Sequence, residues 1–244
     1  MMREASTRIA AKEYAQAQQI LTTAIKFRDQ INDPVAIDWI LRTLGSTWLF
    51  QGLFVEQIAF FTEYLRRHPS DMAAYHERAT ALWYLGKLQE SIRDYSRALE
   101  LKPSDVESLS GRGQVLAEIG DSQQALRDLD VALELLGAIP KSDERWREWS
   151  KHTEAFIRRG RGVAYGGWTQ IRQAINEFDA SIALSPENAW VYYSRAQVYD
   201  RIRDDNRALS DYRTALAKSE PPLTPVQKEN ARARLQSLSA NEHS

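Results

Sequence analysis

Four arginines stand at one recurring distance from an acid. Arg78 precedes Asp94, Arg112 precedes Asp128, Arg161 precedes Glu177 and Arg195 precedes Asp211, each by 16 residues. A guanidinium and a carboxylate are matched for two parallel charge-assisted hydrogen bonds, so the chemistry on offer is ion pairing, not proton transfer. On one continuous helix the two groups would lie about 24 Å apart, so they meet only where the chain folds back into a helical hairpin. Leu44 and Phe60 stand at the same spacing upstream, and there both members become apolar together. The spacing therefore predicts partly buried structural ion pairs that join two helices, replaced by an apolar contact at Leu44 and Phe60.

Residues suited to catalysis are scattered. His68, His76, His152 and His243 lie far apart, and none belongs to an H-E-x-x-H arrangement. There is no G-x-S-x-G elbow and no phosphate-binding loop ahead of a lysine and hydroxyl. The chain has no cysteine, which removes disulfides, thiol nucleophiles and zinc–thiolate sites together. Gly111-x-Gly113 and Gly160-x-Gly162 recur at equivalent positions of a repeat and read as packing glycines. The expectation is a protein without catalytic residues, metal ligands or cofactors.

The elements that position the arginine–acid pairs follow from a period of 34 residues. Units start at Asp38, Met72, Val106, Ala155 and Ala189, and one gap holds 15 extra residues. In the unit from Met72, a Pro69-Ser70-Asp71 segment supplies N-cap candidates. A first helix runs to about Leu85 and breaks at Gly86; a second runs from about Leu88 to Leu101 and stops before Pro103. The eighth position is always small (Gly45, Ala79, Gly113, Gly162, Ala196), as are the later pairs Ala125 with Ala132 and Ala208 with Ala215. Between them large residues such as Trp48, Leu82, Phe61, Tyr95 and Phe178 fill the layer. One such hairpin cannot bury its apolar face alone, so neighbours must stack.

The spacing of Leu44-Gly45-x-x-Trp48, Arg161-Gly162-x-x-Tyr165 and Arg195-Ala196-x-x-Tyr199, followed by Ala174-x-x-x-Phe178 and Ala208-x-x-x-Tyr212 and by Pro69, Pro103 and Pro186, resembles the tetratricopeptide repeat. The resemblance implies an all-α fold, an α-α superhelix built as a right-handed solenoid of helical hairpins. Five repeat-like units are expected at 38–71, 72–105, 106–137, 155–188 and 189–220, with an inserted helical extension at 138–154 capped by Ser142 or Asp143. Residues 1–37 read as one long helix or a degenerate helical pair capping the stack. Residues 221–244 read as a linker (Pro221, Pro222, Pro225), a capping helix from about Val226 to Leu238 and a frayed tail.

In a curled stack the first helix of each hairpin lines the inner groove. Its second, fifth, ninth, twelfth and thirteenth positions then meet a partner. That set contains Trp39, Arg42, His76, Trp83, Tyr84, Phe156, Arg159, Trp190, Tyr193, Gln197 and Arg201. Tryptophan, tyrosine and arginine are the residue types that most often anchor interfaces, although rings at these positions also pack between adjacent hairpins. Within the family, one mode grips acidic chaperone tails with a basic and asparagine clamp. At the clamp positions stand Arg42 and Ser46, then Glu77, then Glu107 and Gly111, and only the first fits. Trp146 and Trp149 share one face of the inserted helix. They form either a docking ridge or a contact with Leu133, Leu136 and Ile139 of the preceding helix.

With 32 basic and 33 acidic residues the chain lacks the basic excess of a nucleic-acid surface. No segment approaches the roughly 20 apolar residues of a membrane span, and no apolar run follows the charged N-terminus, which reads as cytoplasmic. The sequence thus predicts a protein–protein interaction module or scaffold that binds a peptide or partner helix in its concave groove, without nucleic acid or membrane insertion. A self-assembling homo-oligomer is the alternative, and an RNA-binding helical repeat a more distant one.

Overall fold

A computed structural model describes residues 1–139, 144–166, 170–218 and 223–241. Among these residues the chain is helix and turn, with no strand. It divides into two compact units, Met1–Val115 and Leu116–Ser244.

The first unit contains α1 (Met2–Ala10), α2 (Tyr14–Ile25), a 3-10 turn at Arg28–Gln30, α3 (Pro34–Gln51), α4 (Phe54–Arg67), α5 (Met72–Tyr84), α6 (Leu88–Leu101) and most of α7 (Val106–Glu118), which carries the boundary. Local signals set these limits. The Asp33 carboxylate accepts hydrogen bonds from the backbone N–H groups of Val35 and Ala36, with Pro34 in the first helical position. α6 ends two residues short of Pro103, which could not continue it. A left-handed residue follows four of the first helices: Gly52 (φ 71°), Gly86 (φ 74°) and Gly120 (φ 88°), and in the last hairpin Arg203 (φ 62°). Arginine there departs from what the backbone favours.

The core of this unit joins α2, α3 and α4. Leu41, Leu44, Trp48 and Phe61 are buried in one cluster with Leu21 and Ile25, and Phe60 packs against it. The Trp48 and Phe61 rings meet edge to face at 5.8 Å. α3 packs on α5, so successive first helices lie side by side, and α4 packs on α5 in turn. Gln57 and Tyr64 stand where sibling hairpins have small residues, and each has found work there. Gln57 Nε2 donates to the carbonyl of Glu77 at 2.9 Å. The Tyr64 hydroxyl donates to Asp71 and accepts from Arg28 Nε, each at 2.9 Å, tying the 3-10 turn to α4.

The second unit contains α8 (Ser122–Gly137), α9 (Glu144–Tyr165), α10 (Ile171–Leu184), α11 (Ala189–Arg201), α12 (Asp205–Ala217) and α13 (Pro225–Asn241). Side chains cap three of them: Asp121 accepts from Gln124 N–H, Asn188 from Trp190 N–H and Asp204 from Arg207 N–H. α9, 22 residues long, is the longest helix of the unit and packs on α8, α10 and α11. Phe178 and Val191 are fully buried, and Gly162 on α9 sits directly over the Phe178 ring. α13 packs on α12 and buries Ala231 and Leu238. Ser142 and Asp143, expected to cap the inserted helix, lie outside the described residues, as do Pro221, Pro222 and the last three residues.

Candidate functional site

Three of the four arginines with the 16-residue spacing hold their own hairpins closed. Arg78 Nε and Nη2 donate to the two Asp94 carboxylate oxygens at 2.6 and 2.8 Å. Arg195 makes the same fork with Asp211 at 2.7 and 2.8 Å. Arg161 Nη2 lies 3.2 Å from Glu177, which also accepts from Arg158 at 3.2 Å. Arg112 and Asp128 fall in different units, and within the first unit Arg112 Nη1 donates to Ser96 Oγ at 3.1 Å. A companion regularity escaped the sequence reading. The residue 16 positions before the arginine also binds it: Thr62 for Arg78, Ser96 for Arg112 and Asp179 for Arg195. Each of these arginines therefore staples its own hairpin to the preceding one, and the polar character at that position was the signal.

On the first unit, Arg42 leaves α3 and reaches past the thioether of Met72 at the start of α5 to Asp105 and Glu107 at the start of α7. Its Nη2 lies 2.9 Å from Asp105 and its Nε 3.1 Å from Asp38. Asp105 also accepts from the Ser108 hydroxyl at 2.7 Å and the Ser108 backbone N–H at 3.0 Å. Burial alone would raise the Asp105 carboxyl; Arg42 and the two Ser108 bonds overcome it and hold the group down at about 2. His76 Nδ1 is 3.1 Å from the same Ser108 hydroxyl. Burial, with Arg42 nearby, lowers the His76 pKa to about 4, so the ring is neutral at physiological pH. Glu77 beside it is buried and its carboxyl is pushed well up, by burial first and by Glu107, Asp38 and Asp105, with Arg42 opposing. Sequence reasoning singled out Arg42 and His76 here. It read Asp105 only as a helix cap, because its meeting with Arg42 depends on helices coming together, and it passed over Asp38, whose i,i+4 spacing from Arg42 on α3 was the available signal.

The remaining expected contact residues divide by burial. Trp83, Arg159, Trp190 and Tyr193 are buried, at 7%, 3%, 6% and 7% exposure. Packing already occupies them: the Arg159 guanidinium lies 4.9 Å from the centre of the Trp190 ring and 3.4 Å from Glu118. Tyr193 meets Tyr212 edge to face at 5.9 Å, and it lines one cavity with Asn230 of α13. That helix also supplies Arg234, whose Nε donates to Asp200 at 2.8 Å, so α13 covers part of the α11 side on which Tyr193 stands. Trp39, Tyr84 and Phe156 are half-buried, and Tyr84 stacks on Phe54 at 5.2 Å. Gln197 and Arg201 are exposed, with Arg201 donating to the carbonyl of Gly166. On α9, Trp146 is 51% exposed and meets Trp149 edge to face at 5.5 Å.

Among the described residues, no group of three or more histidine and acidic side chains could hold a metal ion. No described helix is long and apolar enough to cross a membrane. What the first-unit cluster can do is fix charge at a defined place.

A family profile described as tetratricopeptide repeat matches residues 76–142. No curated protein sequence matches the chain. Among solved structures, a chain of the APC/C hetero-tetramer Cut9–Hcn1 is similar over 95% of this chain and 41% of its own length, at 17% identity and a TM-score of 0.70. The chain thus spans less than half the length of that relative. A tetratricopeptide repeat protein from Parabacteroides merdae is similar over 98% of this chain and 97% of its own, at 18% identity and a TM-score of 0.56. MamA from Desulfovibrio magneticus is similar over 75% and 95%, at 20% identity and a TM-score of 0.51. At such identities the likeness carries the fold, an all-α solenoid of helical hairpins.

Proposed function

We propose, from the premise that this chain is a tetratricopeptide-repeat protein, that it is a non-catalytic scaffold holding a peptide or helix of another protein against the first helices of its hairpins. The observation that carries the reading is the reach of Arg42. One side chain links α3 to the starts of α5 and α7, so three successive first helices of the first unit contribute to a single surface. The surface is built before any partner arrives. Its arginine and carboxylates hold one another in place, so a partner need not order them, and the entropy normally lost on ordering an interface is smaller.

In the second unit, direct contact falls to the exposed Gln197 and Arg201 and the half-buried Phe156, while Arg159, Trp190 and Tyr193 support them from below. Trp146, about half exposed beside Trp149, offers an aromatic anchor near the N-terminal end of α9.

Photo-crosslinking tests the reading. A benzophenone side chain replaces Ser46 or Gln197, both exposed on first helices, or Arg93 or Arg213, both exposed on second helices. In extract of the source cells, the first pair is expected to yield a discrete polypeptide adduct and the second pair none. Adducts from the second helices alone, or equal adducts from all four, would overturn it.

A further inference from the structure

We infer that the first-unit surface is shaped for a basic segment of a partner polypeptide, with a lysine or arginine side chain docking among Asp38, Glu77 and Glu107. This rests on the scaffold reading and adds the chemistry of the partner to it.

The argument begins with charge. Around Arg42 stand three carboxylates, Asp38, Asp105 and Glu107, with Glu77 behind them, against the Arg42 guanidinium and the exposed Lys102 ammonium, which lies 3.5 Å from Asp105. His76 adds no compensation, and the hydrogen bonds show why. Ser108 Oγ gives its proton to Asp105 at 2.7 Å, so His76 Nδ1 must be the donor in its own 3.1 Å contact with Ser108. The ring is then a neutral tautomer whose bare Nε2 lies 3.9 Å from Glu77 Oε1.

Glu77 supplies an independent observation. Its side chain is only 8% exposed, yet its carboxylate receives no hydrogen bond among the described residues. It lies against the backbone of Gly45, where an added Cβ would overlap the carboxylate, so the absence of a side chain at 45 makes the room it occupies. A buried carboxylate without donors is normally an expensive arrangement. Here it is surrounded by other acids and faces the same cluster, and an incoming cation with three to five N–H donors would satisfy it.

Asp105 is spent, with Arg42, both Ser108 donors and Lys102 on it. Asp38 and Glu107 keep 42% and 33% of their side-chain surface open, so they form the rim a cation meets first. The excess negative charge also disfavours a nucleic-acid backbone at this place.

The test is a selection from a random display library of 12-residue peptides on the intact chain, followed by fluorescence polarisation of the selected peptides. The Asp38→Asn/Glu107→Gln variant leaves Asp105 on Arg42, and its thermal melt is taken to establish that it folds. The expected result is enrichment of lysine or arginine, with binding weakened about tenfold in the variant and weakened again by added salt. Peptides that lose binding when Ser46 is replaced by arginine, but carry no basic residue or bind the variant undiminished, overturn this inference and leave the scaffold reading intact. If no selected peptide responds to replacements on the first helices, the scaffold reading falls and takes this inference with it.

Discussion

Replacing Gly162 by alanine sets two effects of known size against each other. Alanine in place of glycine inside a helix stabilises by about 1 kcal/mol. Here the added Cβ would stand 2.5 Å from Phe178 Cε1, 2.7 Å from Cδ1 and 2.9 Å from Cζ. Carbon atoms settle about 3.5–4.0 Å apart, so the ring or the helix must give way by about 1 Å. Phe178 has no exposed surface and no flexible end to swing aside. With three ring atoms inside 3.0 Å the overpacking cost falls in the upper part of the usual range, about 2–3 kcal/mol, so the net expectation is a loss of about 1–2 kcal/mol. The equivalent positions Ala79 and Ala196 already carry a Cβ, which places the constraint in how closely Phe178 is seated. Gly137, the last residue of α8, has nothing within 4 Å of an added Cβ and serves as the control. Urea unfolding followed by tryptophan fluorescence should place Gly162→Ala below the parent and Gly137→Ala at or slightly above it. Combining Gly162→Ala with Phe178→Leu should recover about 1 kcal/mol relative to additivity. A Gly162→Ala protein as stable as the parent, or strict additivity in the double variant, would refute the packing argument.

Arg195→Leu, which strands the 93%-buried Asp211 carboxylate, should cost about 2–4 kcal/mol, and adding Asp211→Phe should restore part of it; equal and additive losses in a melting series would contradict a coupled pair. Arg203→Gly should gain about 0.5–1 kcal/mol by relieving a left-handed arginine, measured as a higher unfolding midpoint. Native His76 titrates at about 4 against 6.5 for an ordinary imidazole, so the unfolded chain takes up its proton first and stability falls as pH drops from 6.5 to 4. Burial first and Arg42 of α3 next lower that value, against Glu107 and Asp105, with Glu77 Oε1 3.9 Å from the ring; His76→Asn should flatten this part of a stability–pH curve. Glu77→Gln should raise stability at pH 7, because the raised carboxyl pKa means that folding works against its ionisation above the ordinary value of 4.5; at pH 4 the gain should shrink. An unchanged midpoint at pH 7 would count against that assignment.

What could be read in the sequence was whatever repeats or depends on near neighbours. Gly52, Gly86 and Gly120 mark the ends of first helices because a left-handed residue is needed there, and the caps at Asp33, Asn188 and Asp204 are local as well. The 16-residue spacing pointed to Arg78 with Asp94 and Arg195 with Asp211 because a hairpin turns a sequence interval into a contact. Features that depend on more than one hairpin were hidden. Assigning groove positions by repeat number treats every first helix as open, yet residues of α13 wall the cavity that Tyr193 lines, and Arg159 and Trp190 fill space against each other. The cluster around Arg42 was legible only as single residues. Asp105 closes a Pro-Ser-Asp turn that looks like any helix cap, and nothing local says that a guanidinium 63 residues upstream will reach it.

Hydrogen–deuterium exchange of the whole chain, with and without a peptide selected for binding, tests the scaffold account most directly. The account predicts slowed exchange in first helices, in α3 and α5 where the surface around Arg42 is assembled, with α4 and α6 unchanged. Protection confined to α4, α6 or α12, or no protection anywhere in the presence of saturating peptide, would contradict it.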